Sequence, residues 1–202
     1  MTFSWTLHRF SGGALALDVA NSVILRFDAQ ARTDRFAEPA QLHGFAEAAT
    51  RLGGERQDFP ALQPVAPDRI ARFLALRESI DRTFRHRVLH GRDDPQALAT
   101  LLEAIAETLR HHDGEPSPCP VDLATARSAL KLVSQAEPER LKICPNCAWL
   151  FVDKSRNRSR SWCDMAVCGN RAKARLHYAK QRRKKPHENH RGCHDTQSAG
   201  AG

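Results

Sequence analysis

Residues 144–171 read CPNCAWLFVDKSRNRSRSWCDMAVCGNR. Four cysteines punctuate this stretch, as Cys144-x2-Cys147, a gap of fifteen residues, and Cys163-x4-Cys168. A Cys-x2-Cys turn brings two sulfurs to one ion at about 2.3 Å, and a second pair closes a tetrahedron. Pro145-Asn146 between the first two supplies the turn. Four protein ligands leave no open position for water, so the spacing predicts one structural zinc ion rather than a catalytic one. Free buried thiols and an iron–sulfur cluster are the weaker alternatives. A unit this small can hardly fold without metal, and zinc supplies roughly 10–16 kcal/mol to such peptides.

The residues around the cysteines predict local structure. Asp164 is a good N-cap for a helix from Met165, which places Cys168 at the end of its first turn. Gly169 then falls inside a helix at a cost of about 1 kcal/mol, which implies close approach by the knuckle. Trp149 to Val152 reads as a strand, Arg156 to Arg160 as a polar turn and Ser161-Trp162 as a returning strand. Trp149 and Trp162 read as packing residues. Knuckle, hairpin and helix make a treble-clef-like or ribbon-like module. Along residues 170–185 the stripe Ala172, Leu176 and Ala179 is expected to pack on the hairpin.

The charge is concentrated in this module. Residues 140–185 hold 14 Lys/Arg against 2 Asp/Glu, a net +12, whereas residues 1–139 hold 16 against 19, a net −3. Four thiolates around a dication leave the module near +10. A one-signed field of that density favours polyanions over a merely solvated face. The candidate nucleic-acid contacts are Lys154, Arg156, Arg158 and Arg160 on the turn, and Arg171, Lys173, Arg175 and Arg182 on the helix. Arginine can pair with guanine edges, while lysine mostly meets phosphate. Arg171 could equally serve the knuckle carbonyls or pair with Asp153.

Upstream, residues 1–138 read as a helical domain. A helix is expected over Glu38 to Leu52, with Pro39 in its first turn. Another runs from Asp68 to His90 with Ile70, Phe73, Leu74, Ile80, Phe84 and Val88 on its buried side. Asp94 caps a third, and a fourth spans Asp122 to Ala136. Ala14 to Asn21 is either a short strand or a helix start, and residues 55–67 read as a loop. His111-His112 reads as a solvated helix end. The tail, 186–202, has no apolar period and is expected to be unstructured, with His187, His190, Cys193 and His194 as adventitious metal binders at most. The fold class is mainly α, α+β overall. No run of about 18 apolar residues suggests a membrane span, and nothing resembles a secretory leader, so the expectation is a soluble cytoplasmic protein with reduced thiols.

The run Cys144-Pro-Asn-Cys147, Trp149 to Asp153, Arg160-Ser-Trp-Cys163 and Cys168-Gly-Asn-Arg171 resembles the CGNR zinc finger. Leu17-Asp18-Val-Ala-Asn21-Ser22 resembles the signature of its companion, the ABATE domain of stress-induced bacterial transcription regulators, with Ser22 in place of Thr. The resemblance implies a helical sensing or dimerising domain over 1–138 and a finger presumed to bind DNA over 139–185. Asp18 and Asn21 are candidates for lining a small-molecule pocket, or for capping a helix and tying a turn. A DNA-binding transcription regulator is the leading expectation, and a two-fold dimer is common among such proteins. An RNA- or ribosome-binding zinc protein is the alternative. An enzyme ranks lower, since the sequence offers no nucleophile–base pair, phosphate loop or open metal site. Cys119, alone in a Pro-rich loop, and Cys193 have no assigned role.

Overall fold

Helix boundaries follow local chemistry. In the computed structural model, which describes residues 3–114 and 116–184, the elements α1 (Leu15–Ala20), α2 (Pro39–Leu52), α3 (Ile70–His90), α4 (Pro95–Arg110), α5 (Val121–Val133) and α6 (Asn170–Lys184) carry the architecture. Pro39 and Pro95 open their helices at the first turn, where no backbone N–H is missed. The Asp94 carboxylate accepts from Gln96 N at 3.1 Å. Gly91 ends α3 in the left-handed region at φ 66°, which costs a side-chain-bearing residue dearly. The expected starts and stops shift slightly: α3 is preceded by a 3₁₀ turn, Pro67–Arg69, and α5 stops at Val133.

The ambiguous stretch after Gly13 is the short helix α1, and all six of its residues are buried. A helix buried on every side sits in the middle of a core, so no period in its sequence could have told it from a strand. On one side Ala16, Leu17 and Ala20 pack with Leu76, Ile80 and Phe84 of α3, Leu101 and Ile105 of α4, and Ala126, Ala129 and Leu132 of α5. On the other, Leu15 and Val19 pack with Phe10, Phe36, Phe45, Phe59, Phe73 and Val121.

Short strand pairs tie the loops. β1 (Val23–Ile24) pairs antiparallel with β2 (Thr33–Asp34). The loop expected over 55–67 contains β3 (Leu62–Gln63), which runs parallel to β4 (Cys119–Pro120). β5 (Leu141–Ile143) pairs antiparallel with β6 (Leu150–Val152) in the register Leu141↔Val152 and Ile143↔Leu150. Leu141, Leu150 and Val152 join the same apolar cluster as α1, α3, α4 and α5. At roughly 2 kcal/mol for each buried aliphatic side chain, the hairpin that carries the cysteines is part of the helical core's own stability.

Polar residues fix the layers. Arg77, buried on α3, donates to both Asp34 oxygens at 2.7 Å and to the Ser22 hydroxyl at 3.3 Å. Burial opposes the Asp34 charge, but Arg77 outweighs it and holds that carboxyl below its ordinary range. The His112 side chain is tucked in rather than solvated, with Nε2 3.0 Å from Asp122 Oδ2 and Arg69 beside both. The tail residues 186–202, with the His and Cys noted there, lie outside the described residues.

Candidate metal centre

The hairpin is built differently from expectation. Ser161-Trp162 forms no strand; the partner of β6 is β5, and the cysteine knuckle is the turn between them. Ala148 takes φ 60° to close that turn. Its N–H donates to Cys144 O at 2.8 Å, and Cys144 N donates to Trp149 O at 2.8 Å. The chain from Asp153 to Arg160 folds instead around the Asp153 carboxylate. That carboxylate accepts from Ser155 N at 2.9 Å, Ser155 Oγ at 2.6 Å, Arg160 N at 2.9 Å and Lys142 Nζ at 2.7 Å. Burial works against the Asp153 charge, but Lys142 and Ser155 overcome it and hold the carboxyl well below its usual range. Lys142 Nζ also reaches the Arg158 and Arg160 carbonyls at 2.6 and 3.1 Å. A single Lys inside a three-residue strand gave no sequence signal of this role.

Asp164 caps as expected, accepting from Ala166 N at 2.8 Å and Val167 N at 3.3 Å. The helix does not begin at Met165, however. Met165–Gly169 forms one π turn, in which Gly169 N donates to Asp164 O at 3.1 Å, and α6 follows. Wide turns of this kind recur at functional sites, and here the turn carries Cys168, whose sulfur is buried in the cluster. The close approach at Gly169 comes from Met165 Sδ, and from Trp162 Cδ1 at 3.3 Å from where a Cβ would stand, rather than from the knuckle.

All four sulfurs lie within 4.8 Å of one another. Cys147 Sγ is 3.5 Å from Cys163 Sγ, which is 3.6 Å from Cys168 Sγ. These are close to the edge of about 3.8 Å that a tetrahedron with 2.3 Å bonds requires, and far beyond the roughly 2.05 Å of a disulfide. Cys144, Cys147 and Cys163 cannot all ionise beside one another. Hydrogen bonds from Cys147 and Cys163 pull the Cys144 thiol far down, while Cys144 pushes Cys147 up and Cys163 up to about 12. A bound dication resolves that conflict by stabilising every thiolate. The four cysteines form the site of one structural zinc ion. Cys144, Cys163 and Cys168 are fully buried, and Cys147 is half-buried. Asn146 Nδ2 donates to Cys168 Sγ at 3.2 Å, a contact of the kind that orients a ligand.

The helical domain holds this centre from two sides. Asn21 uses both ends of its amide on one residue of β6: Nδ2 donates to Leu150 O at 2.9 Å and Oδ1 accepts from Leu150 N at 3.0 Å. Asp18 Oδ1 accepts from Gly12 N at 2.8 Å, and Gly12 O accepts from Val152 N at 2.8 Å. Both residues are buried, Asp18 at 1% exposed and Asn21 at 4%. On the far side of the hairpin, His8 stacks on Trp149 at 5.1 Å and its Nδ1 lies 3.0 Å from Asp164 Oδ2.

The basic residues divide by environment. Lys154, Arg156, Arg171, Lys173, Arg175 and Arg182 are exposed. Arg158 pairs with Glu137 and Glu139. Arg160 donates Nε to Trp162 O at 2.8 Å and covers the Phe151 ring. Asp153 is occupied by Lys142 and Ser155, as above, while Arg171 faces solvent. The stripe on α6 does not pack on the hairpin: Leu176 is 64% exposed and Ala179 is exposed, and only Ala172 is half-buried. Three small or aliphatic positions among so many cations bury too little area to hold the helix down.

The CGNR zinc finger model matches residues 140–181. The ABATE model, described as "Putative stress-induced transcription regulator", matches residues 13–136. Among curated proteins the chain finds no match. The second family match alone spans more than half of the 202 residues, and the chain therefore belongs to the ABATE family, with a CGNR zinc finger following that domain.

Proposed function

We propose that this chain is a transcription regulator that binds duplex DNA through its zinc module. The observation that supports this most is α6. It spans 15 residues, about 22 Å at 1.5 Å per residue, and stands exposed from Lys173 to Arg182. It carries seven Lys/Arg and no Asp/Glu. A helix that buries so little is held in shape by its attachment to the zinc-anchored turn, and its cations confront solvent or a polyanion. Lys154 and Arg156 on the neighbouring turn extend the same sign of charge. Arg158 would have to release two carboxylates to join them, so its share of binding is smaller. Arg160 acts by positioning the turn.

In this reading the helical domain is the regulatory half, receiving a signal and passing it through the Asn21 and Gly12 contacts to the hairpin. A ligand reaching Asn21 must displace Leu150, so ligand entry there and hairpin docking are mutually exclusive.

The test is the affinity of zinc-loaded protein for duplex DNA across a salt series. Log affinity falls with log salt by about 0.9 for each phosphate neutralised. The wild type is expected to show a slope of several phosphates. Lys173→Glu/Arg175→Glu should lose most of the affinity while keeping zinc and thermal stability, because both positions are exposed. Tight binding by the double variant, or no binding by wild type at low salt, refutes the proposal. Stronger competition by single-stranded RNA than by duplex DNA would replace DNA with RNA as the partner.

A further inference from the structure

The turn Leu7–Phe10 and the turn Arg35–Ala37 bring two arginines to one aromatic ring. The Arg9 guanidinium carbon lies 4.7 Å from the Phe3 ring centroid, and that of Arg35 lies 4.5 Å from it. The two cations are therefore at most about 9 Å apart. Both residues are half-buried, and the Nε atom of each is buried without a hydrogen-bond partner. Among the described residues neither has a carboxylate. The acid next in sequence, Asp34, is taken up by Arg77 through both oxygens.

This departs from how the fold treats Arg26, Arg77, Arg85 and Arg87. Arg77, Arg85 and Arg87 of α3 are matched by Asp34, Asp81 and Asp93, and Arg26 by Glu78 and Asp81. A pair of unmatched guanidiniums repel each other, and the cation–π contacts with Phe3 offset only part of that cost. Burial, and then the charge of Arg35, depress the Arg9 basicity, which is the expected sign of such a pair. The corner holds a third unpartnered buried atom, Gln41 Oε1, next to Trp5, whose Nε1 donates to Gln41 O at 2.9 Å. Trp5 in turn meets Phe3 edge-on at 5.0 Å.

We infer that Arg9 and Arg35 form an anion-binding site, independent of the zinc centre, that takes a phosphate group. Arginine forks suit phosphate oxygens, and a dianion cancels the repulsion that the fold leaves in place. The phosphate comes either from a small phosphorylated ligand or from a nucleic-acid backbone. His8, the residue before Arg9, rests on Trp149 and Asp164 of the finger.

Two arms separate the sources. In the first, thermal unfolding is followed in inorganic phosphate against chloride at constant ionic strength. Phosphate at ten times its Kd should raise the wild-type Tm by about 3–6 °C. Arg9→Gln and Arg35→Gln should erase that response and, in phosphate-free buffer, melt no lower than wild type. Arg35→Lys should retain part of it. In the second arm, the salt slope of duplex-DNA binding is compared for the same proteins. A slope reduced by about 1–2 in the Gln variants assigns the site to the backbone. A lost phosphate response with an unchanged slope, or with a wild type that binds no DNA, assigns it to a free ligand. No phosphate-specific stabilisation together with an unchanged slope overturns the inference.

Discussion

Three polar side chains in one short segment each secure a different part of the molecule. Asp18 holds Gly12, Asn21 holds Leu150, and Ser22 accepts from Arg77. Removing the Asn21 amide leaves a buried N–H and a buried carbonyl on Leu150 without partners. At about 1–3 kcal/mol for each such group, Asn21→Ala should cost about 2–5 kcal/mol in urea unfolding. A cost below about 0.5 kcal/mol would mean that the amide contact contributes little. Asp18 carries the opposite lesson. Burial raises its pKa well above the ordinary carboxylate value; the Gly12 N–H opposes this, Glu55 adds to it and Lys154 opposes it. Its Oδ2 is buried and unpartnered. Since the folded pKa exceeds the unfolded one, Asp18's favourable contribution is complete at low pH and declines as pH rises from the ordinary carboxylate range through the raised folded value. Asp18→Asn keeps an acceptor for Gly12 and cannot ionise, so its stability relative to wild type should climb across that window. A constant difference between pH 4 and pH 8 would contradict a shifted Asp18. Neither pairing was legible in the sequence. The LDVANS stretch flags itself as unusual, but Asn21 and Leu150 are 129 residues apart and nothing local names the partner.

At the scale of elements, what was legible followed from spacing. The four cysteines declare a common ion because ligand geometry is short-range and written in adjacent residues. The capping residues Asp94 and Asp164 act as read, for the same reason. The partner of β6 was not legible, since β5 has three residues and pairs across the knuckle rather than across the turn that looked like a hairpin loop. The apolar stripe on α6 misled because three positions at helical spacing state only which residues share a face. Whether that face is covered depends on what lies opposite, and here the helix leaves the body of the protein. Zinc links these elements. Cys144→Ser removes one corner of the tetrahedron and leaves the other thiols in mutual conflict. It should abolish stoichiometric zinc binding, measured by metal analysis after dialysis, and strip protection from the amides of β6 in hydrogen exchange. Retained zinc with unchanged exchange would show that three ligands suffice.

On the scale of the whole molecule, the two family segments share one apolar core. The hairpin's Leu141, Leu150 and Val152 cover Ala16, Leu17, Ala20, Leu76 and Ile80. Residues 1–138 alone would expose that surface and lose the Leu150 contacts of Asn21. They should bind hydrophobic dyes and lack a cooperative melting transition, read by calorimetry. A sharp transition near the full-length Tm would show the helical domain to be self-sufficient. Chelation of zinc from the full chain should likewise lower the Tm of the helices and not merely release the finger, because hairpin and helices melt together. Helical circular dichroism that is unchanged by a chelator up to the original Tm would separate the two.

A shared core also constrains how such a protein can change over evolutionary time. A finger that folds alone can be copied, shuffled and fused to new neighbours as a cassette. Here residues 140–184 would arrive in a foreign host with Leu141, Leu150 and Val152 bare. A substitution that resizes Leu17 or Leu76 must be answered on the hairpin, and one on the hairpin must be answered in the helices. In this fold the finger and the helical half that shelters it are one unit of packing.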